Sequence, residues 1–308
     1  MSSERSRLGA ALLSLSTLCT CALASRDASA QACCAGSGVV TPGRLGPADT
    51  FLEGGQIYAK RVMGNFNKDS RFATQPAGTD EYELGQDLFA AMRVLRRGQL
   101  AVLLPFLETF RRVPGMYETG GGLADINLAL RWDFLDAGES KVPGIALLGG
   151  VTFPTGTPPE SASKALATDA TGVGAFQGNF GLALEQIWGP VLVTASGRVA
   201  KRMPKTTLGI QSELGAQWTA LVSGAYVFKS GVAAAVFASY TLEGSASVNG
   251  VESAESARRS GQVGVSGMLP IAESWRLQGS VSASPPVSQL GRNEPALLGV
   301  TVGFVRTW

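Results

Sequence analysis

The sequence predicts an all-β chain, an antiparallel up-and-down transmembrane barrel of about twelve strands. Three observations point there: stretches of about ten residues alternate apolar and polar side chains, long and short connections take turns between them, and aromatic residues gather at the stretch ends. Composition agrees, because charged residues are only 16% of the chain and glycine supplies 39 of 308 positions, roughly twice the usual share.

The clearest strand is residues 124–134. Ile126, Leu128, Leu130, Trp132 and Phe134 are apolar, and between them stand Asp125, Asn127, Ala129, Arg131 and Asp133. Side chains alternate faces along a strand, so one face is apolar and the other mostly polar. A helix would mix Asp and Leu on one stripe. The length suits a tilted strand crossing a bilayer, which needs about 9–11 residues.

From the N-terminus, residues 1–30 read as a cleaved secretory signal peptide. Arg5 and Arg7 precede an apolar run over residues 8–24, and Ala28-Ser29-Ala30 or Ala30-Gln31-Ala32 offers a cleavage site. Cleavage after Ala30 removes three arginines and two acids, which takes the net charge from +2 to +1. No later run reaches 18 apolar residues, so no transmembrane helix is expected. Residues 31–50 read as an irregular segment, and residues 51–308 as the barrel. Cys33 and Cys34 are adjacent and lack both metal-motif spacing and all but the last step of a lipid-attachment motif. They read as an exposed vicinal pair.

The first strand is placed at residues 51–66, with poor alternation, and a polar loop follows at 67–80. Residues 82–95 fit a strand by context, although Leu84, Leu88, Ala91, Met92 and Leu95 also make a helical stripe. Residues 100–110 form an apolar strand in which Pro105 implies an irregularity. Residues 111–121 read as a longer loop before the strand already described. Further strands fall near residues 145–153, 176–185, 191–200, 218–228, 232–240, 261–269, 275–284 and 298–308. The connections beginning near Asn67, Arg111, Pro154, Lys201, Glu243 and Pro285 are long, and those near Arg97, Gly138, Gly189, Ser230 and Ala272 are short. A barrel with short periplasmic turns and long outer loops has this pattern. Phe134, Trp188, Phe228, Trp275 and Trp308 then fall at the short-turn rim. Phe66, Tyr82, Phe110, Phe153, Phe176, Trp218 and Tyr240 fall at the long-loop rim. Two such girdles are expected where amphipathic rings favour the interface.

Two short motifs carry a family resemblance. Gly121-Gly122-Leu123-Ala124-Asp125-Ile126, followed by Phe153-Pro154-Thr155-Gly156, resembles an outer-membrane family named for the meta-pathway of phenol degradation. Its members show Gly-Leu-Gly-Asp opening a strand and Pro-Thr-Gly ending the next; here Ala124 replaces the second glycine. The resemblance implies a β-barrel channel or transporter. The final strand, ending in Trp308, is similar to the signal by which barrel assembly machinery recognises outer-membrane proteins. Arg306 departs from that signal but can snorkel at the rim.

The chain contains no histidine. That removes histidine triads, most zinc sites and the histidine chemistry that barrel proteases, phospholipases and deacylases resemble one another in using. Asp125 and Asp133 lie eight residues apart, about 26 Å along a strand, too far for a catalytic carboxylate pair. No Gly-Lys-Ser or Gly-Lys-Thr phosphate loop occurs. The expectation is therefore no enzyme, no catalytic residue, no cofactor and no metal. A net charge of +2 gives no basic footprint for nucleic acid. The expected location is the cell outer membrane, with its lipid, the assembly machinery and a small-molecule solute as partners.

The leading function is a channel or transporter for small molecules, hydrophobic or aromatic ones included. Its lumen-lining candidates are Asp125, Asn127, Arg131, Asp133, Gln177, Asn179, Glu185, Arg198, Gln262, Arg276 and Gln278. Their mixed signs suggest ion pairs across the bore rather than a single-sign ring. The alternatives are a non-conducting barrel that presents surface loops and a secreted soluble sandwich. An outer-membrane fraction should contain the protein in a form whose gel mobility changes on heating. Recovery as soluble periplasmic material would overturn the barrel.

Overall fold

The computed structural model describes residues 45–46, 48–138, 142–207 and 209–308; the signal peptide expected at residues 1–30 and the pair Cys33–Cys34 lie outside them. In chain order the strands are β1 (Phe51–Phe66), β2 (Phe72–Thr74), β3 (Asp80–Leu95), β4 (Gly98–Val113), β5 (Met116–Leu123), β6 (Ile126–Leu135), β7 (Gly144–Phe153), β8 (Gln177–Trp188) and β9 (Val191–Arg202). There follow β10 (Lys205–Thr207), β11 (Ile210–Glu213), β12 (Gln217–Val227), β13 (Ala233–Glu243), β14 (Ser247–Val248), β15 (Val251–Glu252), β16 (Arg258–Pro270), β17 (Trp275–Ala283) and β18 (Glu294–Thr307).

Twelve of these, β1, β3, β4, β6, β7, β8, β9, β12, β13, β16, β17 and β18, form the wall. Each pairs antiparallel with its neighbour in sequence order, and β18 returns to pair with β1 from Leu52↔Thr307 to Phe66↔Glu294. The barrel is closed and leaves no edge. An even number of strands brings both ends of the wall to one rim, where Thr50 N–H donates to the Trp308 carbonyl at 2.7 Å.

The alternation read at residues 126–134 is present. Leu128, Leu130 and Phe134 face outward and exposed, while Ala129 and Asp133 are buried on the inner face. The same parity holds for Phe180, Leu182 and Leu184 on β8, Val263 and Val265 on β16, and Val300, Val302 and Phe304 on β18, all exposed. The outer surface is thus a continuous apolar band, which suits lipid. Exposed Phe134, Trp188, Phe228 and Trp308 sit at the short-turn rim, and exposed Tyr82, Phe153, Phe176 and Trp218 at the other. Phe66 does not join this girdle. It is buried, tilted at 58° against Phe72 with centroids 5.5 Å apart and lying over Gly291, where a side chain would collide with its ring.

Three sequence expectations change. Residues 111–121 are not a loop: β4 runs on to Val113, turns at Gly115 (φ +82°), and pairs back with β5 from Val113↔Met116 to Phe106↔Leu123. Polar Arg111 facing Glu118 makes this hairpin resemble a loop in composition. The long loops at residues 203–216 and 244–257 contain strands, which assemble as a small sheet in the order β10-β11-β14-β15. The third concerns Pro105. β4 passes through it unbroken, and the interruption falls on the neighbouring strand, between β5 and β6 at Ala124 and Asp125. Pro105 has no N–H to donate to that side, so only Ala124 N–H to the Pro105 carbonyl, 2.8 Å, spans the gap.

Leu130→Arg places a charge on the lipid face and should cost roughly 2–4 kcal/mol of folding stability in lipid if it lies near the midplane. Denaturant titration in vesicles measures this. An unchanged midpoint would show that inside and outside are reversed.

Candidate functional site

The candidate site is the barrel interior. Small residues on the inner face let charged ones reach across strands. Arg131 on β6 contacts Asp133 Oδ1 at 2.8 Å and reaches over β7 to Glu185 Oε1 of β8 at 3.0 Å. It passes Ala146, which pairs with both Asp133 and Ala183 and is almost wholly buried. The three charged side chains are 14%, 10% and 5% exposed, a nearly enclosed triad. Arg202 of β9 likewise spans β12 to Glu243 of β13 at 2.9 Å, and donates to Gln177 Oε1 at 2.9 Å. On β1 and β3, Lys60 meets Glu83 at 2.9 Å and Gln56 donates to Asp87 at 2.7 Å.

Asn127 lies on the inner face and donates to Thr152 Oγ1 at 2.9 Å. Gln262 donates to Ser282 Oγ at 3.1 Å, and Arg276 to Thr307 Oγ1 at 2.8 Å. Asn179 packs its amide against Gly150, and Arg198 and Gln278 are half-buried on the inner parity of β9 and β17. Arg131, Asp133 and Glu185 are therefore brought together, Gln177 joins the Arg202 cluster, and the others are spread around the wall. Asp125 departs from the lumen-lining expectation: its carboxylate is taken up by backbone N–H groups of an outer loop. Sequence reasoning missed Gln56, Lys60, Glu83, Asp87, Arg202 and Glu243. On β3 the signal was present, since Glu81, Glu83, Asp87 and Arg93 alternate with Tyr82, Leu84, Leu88 and Met92.

Three inward aromatics lie flat on the wall, each over the glycine registered opposite it. Tyr58 pairs with Gly85, Phe89 with Gly54, and Phe237 with Gly264. A Cβ on any of the three glycines would collide with its partner ring. A ring covering a strand glycine shields exposed backbone. Here it also keeps bulky groups along the wall and out of the bore.

The outer mouth is shaped by residues 154–176. Asp125 accepts from Gly156 N–H at 2.9 Å and from Val173 N–H at 2.7 Å. Thr155 Oγ1 donates to the Ala124 carbonyl and accepts from Ile126 N–H, and Thr171 Oγ1 donates to the Leu123 carbonyl. The two motifs read in the sequence are therefore in contact with each other. Gly156 and Gly172 meet backbone to backbone, and a side chain on Gly172 would strike the Asp125 carboxylate. Inward-facing Arg111 donates to the Leu166 and Ala167 carbonyls, Glu118 accepts from Leu166 N–H at 2.7 Å, and Gly120 leaves room for Thr168 and Asp169. The loop is thus pulled onto the inner face of the β4–β5 hairpin. Within it, the Ser163 hydroxyl and the N–H groups of Ser163 and Lys164 hold the Asp169 carboxyl down to about 2. Lys205 ties the loop to the adjacent one through the Val173 carbonyl and Glu160.

Closed wall, apolar exterior and charged interior define the class: an antiparallel barrel of the outer-membrane type. No family model and no curated protein matches the chain. Among solved structures it is similar to the COG4313 outer membrane channel from Pseudomonas putida F1, with a TM-score of 0.73 and 14% identity over 87% of this chain and all of that one. It is also similar to the beta domain of the Bordetella autotransporter BrkA, with a TM-score of 0.50 and 10% identity over 84% of this chain and all of the other. These likenesses establish the fold.

Asp125→Ala should free residues 154–176 while leaving the wall intact. Limited proteolysis of the folded barrel should then cut within that loop faster than in the unaltered protein. Equal cutting rates would show that Asp125 does not hold it.

Proposed function

We propose that the chain is an outer-membrane channel or transporter for small solutes, hydrophobic or aromatic molecules included. The observation that carries the reading is the interior. Its charges of both signs engage one another or neighbouring amides around the wall, so the bore presents polar, mixed-sign walls rather than a ring of one sign. A twelve-stranded bore is narrower than that of a 16-stranded porin, so the path is narrow and its selectivity depends on single side chains. The similarity to a solved outer membrane channel and the motif resemblance support the same reading. In this reading lipid covers the apolar band. The barrel assembly machinery meets the strand ending at Trp308, where Arg306 lies over the Trp308 ring at 3.4 Å and stays at the rim. In this reading the protein carries no reaction, and the interior carboxylates Glu83, Asp87, Asp133, Glu185 and Glu243 serve to pair with cations or amides.

Arg131→Ala leaves Asp133 and Glu185 without their shared cation. The variant should still fold, lose roughly 3–5 kcal/mol, and shift the reconstituted conductance towards cations. Planar-bilayer reversal potentials under a salt gradient measure the shift. A purified, folded barrel that neither conducts nor takes up solute would overturn the channel in favour of a loop-presenting barrel.

A further inference from the structure

On the outer face of β3, β4 and β5, polar groups appear at the upper margin of the apolar band. The outward positions of β3 and β4 pair as Tyr82↔Phe110, Leu84↔Glu108 and Gln86↔Phe106, descending from the long-loop rim. Glu108 and Gln86 are exposed there. A pocket of about 460 Å³ opens beside them, lined by Leu84, Gln86, Phe106, Glu108, Gly121 and Lys164. β5 pairs with β4 alone, and Gly121, registered with Glu108, has no side chain to fill the space. A Cβ at Gly121 would strike the Leu107 carbonyl. Lys164 reaches the pocket from the 154–176 loop and donates to the Thr119 carbonyl.

Above the pocket the outward face is cationic and aromatic. Arg61 of β1 lies over the Tyr82 ring at 5.3 Å and contacts Asp80 at 3.3 Å. Arg112 of β4 lies over the Tyr117 ring at 5.5 Å. Both arginines are exposed, and among the described residues no carboxylate pairs with Arg112 or Lys164. A guanidinium resting on a ring keeps its N–H fork open for a phosphate. Below the pocket Leu88 and Met92 continue down β3, both exposed.

Hydrocarbon alone is a poor cover for this patch. Acyl chains against Glu108 and Gln86 leave a carboxylate and an amide without partners, which is costly. Sugar hydroxyl and amide groups satisfy those two. Phosphates suit Arg61, Arg112 and Lys164, as basic pockets at membrane surfaces suit lipid phosphates. Acyl chains then run down over Leu88 and Met92. We infer that this patch is a seat for a phosphorylated glycolipid of the outer leaflet, held by its sugar and phosphate head. The inference needs an outer-membrane barrel but does not depend on the channel reading proposed above.

Native mass spectrometry of the folded full chain in detergent tests it. The probes are bis-phosphorylated lipid A, its dephosphorylated form and dioleoylphosphatidylglycerol. Lipid A should bind tightest, and the other two about tenfold more weakly or less well still. Arg112→Ala with Lys164→Ala should weaken lipid A by a similar factor. Glu108→Leu with Gln86→Leu should weaken lipid A severalfold and leave phosphatidylglycerol unchanged. Lys229→Ala, in the turn at the opposite rim, should change nothing. Heat-modifiable gel mobility reports whether each variant is folded. Should the Arg112–Lys164 double variant fail to fold, Arg112→Ala alone removes only a ring contact and should still lose severalfold. Equal binding of lipid A and phosphatidylglycerol, or undiminished lipid A binding by folded Arg112 variants, overturns the seat.

Discussion

The requirement that every backbone N–H and C=O within lipid find a partner governs this structure. In hydrocarbon an unsatisfied group costs several kcal/mol, so a strand-built wall must close on itself. The seam between β1 and β18 is where closure happens, and fourteen registered pairs run along it. Once the ring is closed, the period-two alternation of each strand assigns every side chain to lipid or to the interior. A slip of one residue would invert that assignment along the strand, so the apolar outer set fixes the register. Interior chemistry is therefore a by-product of satisfying the exterior, and the inner positions are free to be charged.

That freedom is limited by burial. The Arg131, Asp133 and Glu185 side chains are nearly enclosed, and isolated charges there would be costly. Each meets an opposite charge on its own strand or two strands away, with Arg131 shared by the two carboxylates. Reaching two strands away requires the strand between to present something small, which Ala146 and Gly144 do. The small-residue content of the sequence is thus tied to its charge content: alanine and glycine on the inner face are what let arginines span a strand. The ring-over-glycine pairs follow the same logic, with glycine opposite each inward aromatic so that the ring can lie along the wall.

The wall was legible in the sequence wherever lipid faced one side and water or ion pairs the other. Residues 126–134 and 177–185 alternate cleanly because nothing disturbs them there. β1 was obscured because its inner set mixes Leu52, Tyr58 and Val62 with Gln56 and Lys60, and its outer set holds Glu53 and Arg61 near the ends. β3 was obscured because apolar residues at Leu84, Leu88 and Met92 are spaced by four, a period shared by helix and strand. The outer extensions were not legible. Above the lipid there is no apolar face to generate alternation, so the β4–β5 hairpin and the β10–β15 sheet carry the composition of loops. Ion-pair partners on different strands, such as Arg202 and Glu243, depend on register across intervening strands, which no local pattern contains.

One missing hydrogen has effects that reach the outer mouth. Pro105 cannot donate towards the β5–β6 side, so that strand gives up its ladder at Ala124 and Asp125. Released from the ladder, Ala124 offers its carbonyl to Thr155, and the Asp125 carboxylate gathers two N–H groups from residues 156 and 173. A continuous strand would have kept Asp125 in the alternation that places its neighbours inside, as its sequence context suggests. Instead the break turns a lumen position into the anchor of a loop. The glycines at 156 and 172 are then required by contact, because the two backbone segments they occupy meet beneath that carboxylate. The spacing of the Leu-Ala-Asp and Pro-Thr-Gly motifs is accordingly a consequence of wall geometry. Asp125 ends one strand interruption and Thr155 lies just past the end of the adjacent strand, where Ile126↔Phe153 closes the ladder. The motifs mark how the mouth is held.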